Sequence, residues 1–335
     1  MMIYYIRKLF SFIKLIWGLT FLQLVSINKR YYYYSYLGKI YFDLEKYEKA
    51  ILFFKKSEDF QKKQDLEFSG LNFHYLGHCY LTLGDFQNAV WYLEDSLKLF
   101  PDDYSTMAFI GWCYEMLDEP EWALKSYEQA IKLDPIPISL YYLGAMILSN
   151  LDRKKEALEY IELAKESAKD KDEWIMKHLD GTSHIISGNY KDAIEFLKET
   201  ISSYIEKADN IFIEKIDIYG VLAHCQRESG DSKGALSTLE EAYKECPDLS
   251  LGNELAMEYA NQNTNFERAL EIIERALKYQ PYHPLFMDTR GWIFFKMGRL
   301  DEAKQEIERS LKLKPKNKGI QEHYFTVLKE HKNLS

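Results

Sequence analysis

A register that returns every 34 residues limits what this chain can fold into more than any other feature. Leu76, Gly77, Tyr80, Gly84, Ala89, Leu93 and Pro101 set it, and Ile110, Gly111, Tyr114, Ala123, Tyr127 and Pro135 repeat it. A chain with this period folds as a stack of like units, each touching only its neighbours, so 335 residues are compatible with one long array rather than two globular domains. Each marker has a local reason. Gly77 and Ala89 lack bulk where two helices cross, and Tyr80 and Leu93 fill the space above them. Gly84 closes the first helix in a left-handed conformation, Asp85 caps the second, and Pro101 stops it.

Further copies follow along the chain. Tyr34, Leu37, Gly38, Tyr41, Ala50, Phe54 and Ser57 mark the first, and Leu140, Leu143, Gly144, Ala157, Ile161 and Ala164 the fourth. The fifth keeps Gly181, Gly188, Ala193 and Leu197 but places Lys177 and Asp180 where apolar residues are usual, which weakens the packing expected of it. From Ala193 to Ala235 the interval is 42 residues, so about eight extra residues fall near Tyr204 to Phe212, in a lengthened second helix or a loop. Ala235, Ala269 and Ala303 then carry repeats six to eight, and residues 318–335 read as a capping helix with a charged face.

The chain resembles the tetratricopeptide-repeat family over residues 31–317. That resemblance implies an all-α fold, a right-handed superhelical α-solenoid of helix-turn-helix repeats, with the first helix of each repeat lining a concave groove. It also implies that residues two before, one before and two after the Leu of the Leu-Gly pair face into the groove. In the first four repeats these are Ser35, Tyr36 and Lys39; His74, Tyr75 and His78; Ala108, Phe109 and Trp112; Tyr141, Tyr142 and Ala145. Tyr36, Tyr75, Phe109 and Tyr142 form an aromatic ladder with Trp112 beside it, and aromatic rings are enriched at interface hot spots. The expected ligand is an apolar or aromatic protein segment. The alternative is that the same rings pack on one another and on the N-terminal helix. The C-terminal counterparts, Gly220, Val221 and His224; Asn253, Glu254 and Met257; Asp288, Thr289 and Trp292, are more polar and leave a second contact unspecified. The Lys/Asn/Asn/Lys/Arg carboxylate clamp of chaperone-binding relatives is absent from these positions.

Charge separates the first 30 residues from the rest. They carry five basic residues (Arg7, Lys8, Lys14, Lys29 and Arg30) and no acid, whereas the remainder sums to −14. An acidic body repels phosphate backbones, which argues against nucleic acid as a partner. Between Lys8 and Lys29 lie twenty largely apolar residues broken by Lys14, so residues 1–30 are expected to tether the chain to a membrane, spanning it or lying on it, with the repeats on the cytoplasmic side. A capping helix and a signal peptide are the competing readings of this segment.

Cys79, Cys113 and Cys225 each fall three residues beyond a first-helix Leu or Ile, where a small apolar residue is wanted, so they are read as buried thiols. His74 and His78 are four apart on one helical face, a spacing that can bridge a metal. No carboxylate or thiol is expected beside them, and groove-lining imidazoles are the preferred account. Nucleophile-elbow, zinc-protease and phosphate-loop signatures are missing, and pairs such as Asp102–Asp103 and Glu240–Glu241 read as solvated charge. The sequence therefore points to a non-enzymatic scaffold or assembly factor without a cofactor. A regulatory subunit whose own N-terminal segment fills the groove is the second reading.

Overall fold

A computed structural model describes residues 30–64, 70–133, 138–168, 173–204 and 215–334. Among them the chain is all-α, with seventeen helices and no strand. In order they are α1 (Arg30–Asp43), α2 (Tyr47–Lys63), α3 (Gly70–Thr82), α4 (Phe86–Leu99), α5 (Tyr104–Met116), α6 (Pro120–Leu133), α7 (Ile138–Asn150) and α8 (Lys154–Ser167). They continue as α9 (Glu173–Ile186), α10 (Tyr190–Ser203), α11 (Lys215–Glu228), α12 (Ser232–Glu245), α13 (Leu249–Asn261), α14 (Phe266–Tyr279), α15 (Pro284–Lys296), α16 (Leu300–Leu313) and α17 (Lys318–Leu334). The chain forms two compact units, Met1–Tyr114 and Glu115–Ser335. Within the first, α1 packs on α2 and α3 on α4; within the second, the hairpins run from α7–α8 to α15–α16, with α17 against the last.

The second helix of every repeat presents one buried stripe, a bulky residue between two small ones at i, i+4 and i+7. Ala50-Phe54-Ser57, Ala89-Leu93-Ser96, Ala157-Ile161-Ala164 and Ala303-Ile307-Ser310 are all no more than 1% exposed. That spacing puts the three on one helical face, and burying each bulky member contributes about 1.5–3 kcal/mol. In the first, second and eighth repeats the first helix answers with a glycine sixteen residues upstream of the bulky one. A Cβ placed on Gly77 would stand 2.5 Å from Leu93, one on Gly38 2.7 Å from Phe54, and one on Gly291 2.6 Å from Ile307. Gly77→Ala is therefore expected to cost about 1–3 kcal/mol by forcing the hairpin apart. The loss should shrink in a Leu93→Ala background, a coupling that a double-mutant cycle in urea reads directly. Additivity of the two changes would contradict the close approach.

The turn inside each hairpin is built by backbone geometry. Asp85 N–H donates to the Tyr80 carbonyl at 2.9 Å and Gly84 N–H to that of Leu81 at 3.0 Å, the paired bonds of a Schellman motif. The same five-residue reach recurs from Lys46 to Tyr41, Arg153 to Leu148, Asn189 to His184, Asp231 to Gln226, Thr264 to Tyr259 and Arg299 to Phe294. Glycine is one way to occupy the left-handed position, as at Gly84 (φ 79°); Glu45, Asp118 and Asp152 hold it at φ 57–59°. Asp85 and Asp231 also cap the following helix, accepting from the backbone N–H of Asn88 and Gly234.

In the fifth repeat the two misplaced polar residues are paired. Lys177 lies 3.3 Å from Glu173 and 3.2 Å from Glu199, and Asp180 lies 2.9 Å from Lys165. Helix α10 ends at Ser203 at an ordinary 14 residues, and Tyr204 is extended, so a helix lengthened through Tyr204 is excluded. The rest of the eight-residue excess falls outside the described residues. So does the apolar stretch of residues 1–29; among the described residues no helix is long and apolar enough to cross a membrane. Helix α17 buries Ile320 and Val327 against Phe294, Ala303 and Ile307.

Candidate functional site: the concave faces of the two units

In the first unit the sequence-predicted residues form a packed cluster. Tyr36 on α1 is 43% exposed. Tyr75 stacks on Phe54 (5.6 Å, 1°), meets Phe42 edge-on and accepts a hydrogen bond from Lys39 Nζ at 2.8 Å, so its ring helps join the first repeat to the second. His74 and His78 sit ring to ring at 4.5 Å, and Phe109 meets His78 edge-on at 4.6 Å. Trp112 instead packs edge-on against Phe86.

Both histidines are neutral at pH 7. Burial lowers the His74 imidazole, with Asp103 opposing, and takes His78 down to about 4, with His74 adding to the fall. A carboxylate is thus near the pair, contrary to the expectation from sequence. Asp103 is engaged at the start of α5, accepting from the hydroxyls of Ser105 and Thr106 at 2.7 Å and from both backbone N–H groups, while the Thr106 hydroxyl lies 3.2 Å from His74 Nδ1. Asp103 is an N-cap rather than a solvated charge. Glu240 likewise has a partner, accepting from the Tyr259 hydroxyl at 2.7 Å. Among the described residues no group of three or more His, Cys, Asp or Glu side chains is placed to hold a metal ion.

The cysteines expected inside are inside: Cys79, Cys113 and Cys225 are buried and Cys246 is exposed. Burial pushes the Cys79 thiol up to about 12 and that of Cys225 to about 11, far from thiolate chemistry at pH 7.

The second unit holds a concavity of its own. A cleft of about 480 Å³ is walled by Tyr142, Leu143 and Met146 of α7, Ile185 of α9, Val221, His224 and Arg227 of α11, and Leu251 and Glu254 of α13. First-helix positions named from the sequence meet here: Tyr142, Gly220, Val221, His224 and Glu254. Tyr141 does not join them and packs edge-on against Tyr160. Asp217, Met146 and Arg227 are further lining residues that a rule of three offsets misses. Extending the helical face by one turn in each direction, at steps of three and four, finds them.

Arg227 reaches Glu258 at 3.3 Å and Glu254 only at 3.9 Å. Burial raises the Glu254 carboxyl, with Arg227 opposing and Asp217 and Glu258 adding to it, and burial together with Arg227 lowers His224. Behind the cleft Tyr142 packs on His178 at 5.1 Å. His178 is fully buried, neither ring nitrogen has a partner, and burial takes it down to about 4, so it serves as a neutral packing ring.

At the far end the sequence-predicted polar positions are filled from within. Asp288 and Thr289 are 5% and 1% exposed, and Trp292 stacks on His323 of α17 at 4.0 Å. The His323 ring lies 2.8 Å from Asp288. These positions are a seat for the capping helix and not part of an open groove.

Stacked helical hairpins with a buried small-large-small stripe and an open inner face define a repeat protein of the interaction-scaffold class. The tetratricopeptide-repeat family model matches residues 31–64, 74–103, 104–137, 138–171 and 287–317, and the chain belongs to that family. The chain is 25% identical over 54% of its length to "Transcriptional activator NprA" of Geobacillus stearothermophilus, covering 49% of that protein. It is 22% identical over 74% of its length to "TPR repeat-containing protein YpiA" of Bacillus subtilis, covering 64% of it. It therefore spans about half to two thirds of these curated relatives. Among solved structures, YrrB, described as a TPR protein with an unusual peptide-binding site, is 16% identical, with a TM-score of 0.37 over 59% of this chain and 97% of its own.

Proposed function

We propose that this protein is a non-enzymatic scaffold whose concave face holds an extended segment of a partner protein. Repeats of this family commonly serve as protein-interaction scaffolds. The observation that carries the reading is the second unit's cleft, walled by four consecutive first helices and large enough for several side chains. Stacked repeats hold such a wall in place before the ligand arrives, which lowers the ordering cost of binding. Tyr36, with its exposed ring, the cluster of His74, Tyr75, His78 and Phe109, and Trp112 beside Phe86 are proposed as a second contact on the first unit, and Tyr141 and Tyr142 as contacts on the second. The basic, apolar residues 1–30 support a tether at a membrane surface facing the cytoplasm.

The test is selection of random twelve-residue peptides on the immobilised full chain. Val221→Arg, which fills the cleft, is expected to weaken the selected peptides at least tenfold, whereas Leu163→Asp on an exposed face of α8 leaves them unchanged. Equal binding to both variants refutes the assignment. A regulatory role is the second reading, favoured by the similarity to a protein named as a transcriptional activator. There the N-terminal segment occupies the groove, and deleting residues 1–29 raises peptide affinity; under the scaffold reading the deletion leaves it unchanged.

A further inference from the structure

We propose that a second pocket of this unit, bounded by α12, α13 and α14, receives one acidic side chain, aspartate or glutamate, from a partner segment. It shares no lining residue with the cleft described above, so it adds a site to the segment-binding reading and stands apart from it.

Two independent observations carry it. The first is the charge of the lining. The pocket, about 480 Å³, has cations on α12 (Lys244) and α14 (Arg268 and Arg275), all exposed. Arg268 is paired with Glu271 at 2.6 Å. Arg275 makes one long contact, Nη2 to the Pro247 carbonyl at 3.4 Å, and Lys244 has neither an ion pair nor a hydrogen bond among the described residues. The lining holds one carboxylate, Glu240, and its partner is neutral, the Tyr259 hydroxyl that donates to it at 2.7 Å. With Arg268 offset by Glu271, two cations face one carboxylate, an excess of a single positive charge. That excess matches a carboxylate monoanion.

The second observation is Tyr243. It lines the pocket, is more than nine-tenths buried, and its hydroxyl has no hydrogen-bond partner among the described residues. Its ring is pressed on α13, where a Cβ on Gly252 would stand 2.9 Å from Tyr243 Cε2. The phenol is therefore an unused donor held in place. Together with the free N–H groups of Arg275 and Lys244 it serves the two oxygens of one carboxylate, and hydrogen bonds that involve charged groups are the strong ones. Leu255, 2% exposed, and the rings of Tyr243 and Tyr259 supply apolar surface for the methylenes that carry the incoming carboxylate. A segment with a cation at that place meets Lys244 and Arg275 and is repelled.

The experiment uses three fluorescein-labelled pools of soluble nine-residue peptides, fixed at the centre as glutamate, glutamine or lysine and random elsewhere. They are titrated by fluorescence anisotropy against the full chain carrying Val221→Arg, which fills the other cleft. The glutamate pool is expected to bind about tenfold more tightly than the glutamine pool, with the lysine pool weakest. Arg275→Gln and Lys244→Gln should each weaken the glutamate pool about three- to tenfold, and Tyr243→Phe about threefold, while the glutamine pool is unmoved, the range between an exposed ion pair and a charged hydrogen bond. Lys312→Gln removes an equal charge from the last turn of α16 and should leave all three pools unchanged. Equal binding of the glutamate and glutamine pools, no binding by any pool, or a Lys312→Gln effect as large as that of Arg275→Gln overturns the site. None of these outcomes bears on the cleft, which is tested by comparing the wild-type chain with Val221→Arg.

Discussion

Replacing Lys314 with methionine is expected to lower the stability of the second unit by about 3 kcal/mol, the scale of breaking a buried ion pair. Lys314 follows α16, and its side chain is 4% exposed. Its ammonium lies 3.3 Å from Asp118 Oδ1 and donates to the Glu115 carbonyl at 3.4 Å, joining positions 199 residues apart in sequence. Methionine fills the space but leaves Asp118 without this cation, and Asp118 Oδ2 already has no partner. Asp118→Asn in the Lys314→Met background should restore part of the loss. The neighbouring Lys316–Glu119 pair, with Lys316 63% exposed, is a control expected to be worth less than about 1 kcal/mol. Urea unfolding measures all three, and a Lys314→Met loss no larger than that of Lys316→Met would show that the contact is solvated.

The same junction makes stability depend on pH. Burial raises the Glu115 carboxyl to about 7, against the opposing effects of the Tyr127 hydroxyl that donates to it and of Lys314. The folded chain thus holds a proton that the unfolded chain releases near 4.5. Stability from this group is full below about pH 4.5, declines as pH rises to about 7, and is lost above it, a total of up to about 3 kcal/mol. Glu115→Gln should flatten that decline between pH 5 and pH 8. Lys314→Met should move it to higher pH, because one of the two effects that hold the carboxyl down is removed.

The hairpin architecture was legible because its determinants are local and repeated. Gly77 opposite Leu93, sixteen residues away, is a one-hairpin statement, and several copies make the signal unmistakable. The turn was read through Gly84, although the left-handed geometry belongs to the position and not to the residue: Glu45, Asp118 and Asp152 adopt it where no glycine announces it. The groove offsets named Tyr142, Gly220, Val221, His224 and Glu254, all of which line one cleft. They also placed Asp288 and Thr289 on an open face, because a rule written for one helix does not know that α17 covers the last one. Emphasis on the aromatic ladder had a similar limit. Tyr75 reads as a free ring in sequence, yet Phe54 and Phe42 from the preceding hairpin hold it, and contacts between repeats are invisible to a single-repeat pattern. The Lys314 junction had no sequence signal at all, since nothing in a 34-residue period relates positions nearly 200 apart.

Trp174→Ala is expected to cost about 3–5 kcal/mol, the range for emptying a buried aromatic site, in the repeat whose sequence markers were weakest. Trp174 lies in the first turn of α9, is 2% exposed, and lies against Tyr204 at 4.7 Å. Lys177 and Asp180 contribute ion pairs at the margin of the same helix, where solvent screens them, so the ring supplies more of the cohesion than the charges do. The indole N–H is buried without a partner. Trp174→Phe therefore removes an unsatisfied donor along with part of the volume, and should cost no more than about 1 kcal/mol. Because stability in a repeat array is shared mainly between nearest neighbours, the alanine variant should not loosen the unit uniformly. Hydrogen exchange is expected to accelerate first in α9 and α10, with amides of α14 to α16 keeping their protection. Ile185 of α9 forms one wall of the cleft, so peptides selected on the wild-type chain should bind Trp174→Ala more weakly and Trp174→Phe nearly as well. Uniform loss of protection along α9 to α16 would mean that the second unit unfolds as one block, and that the fifth repeat is not its weak link.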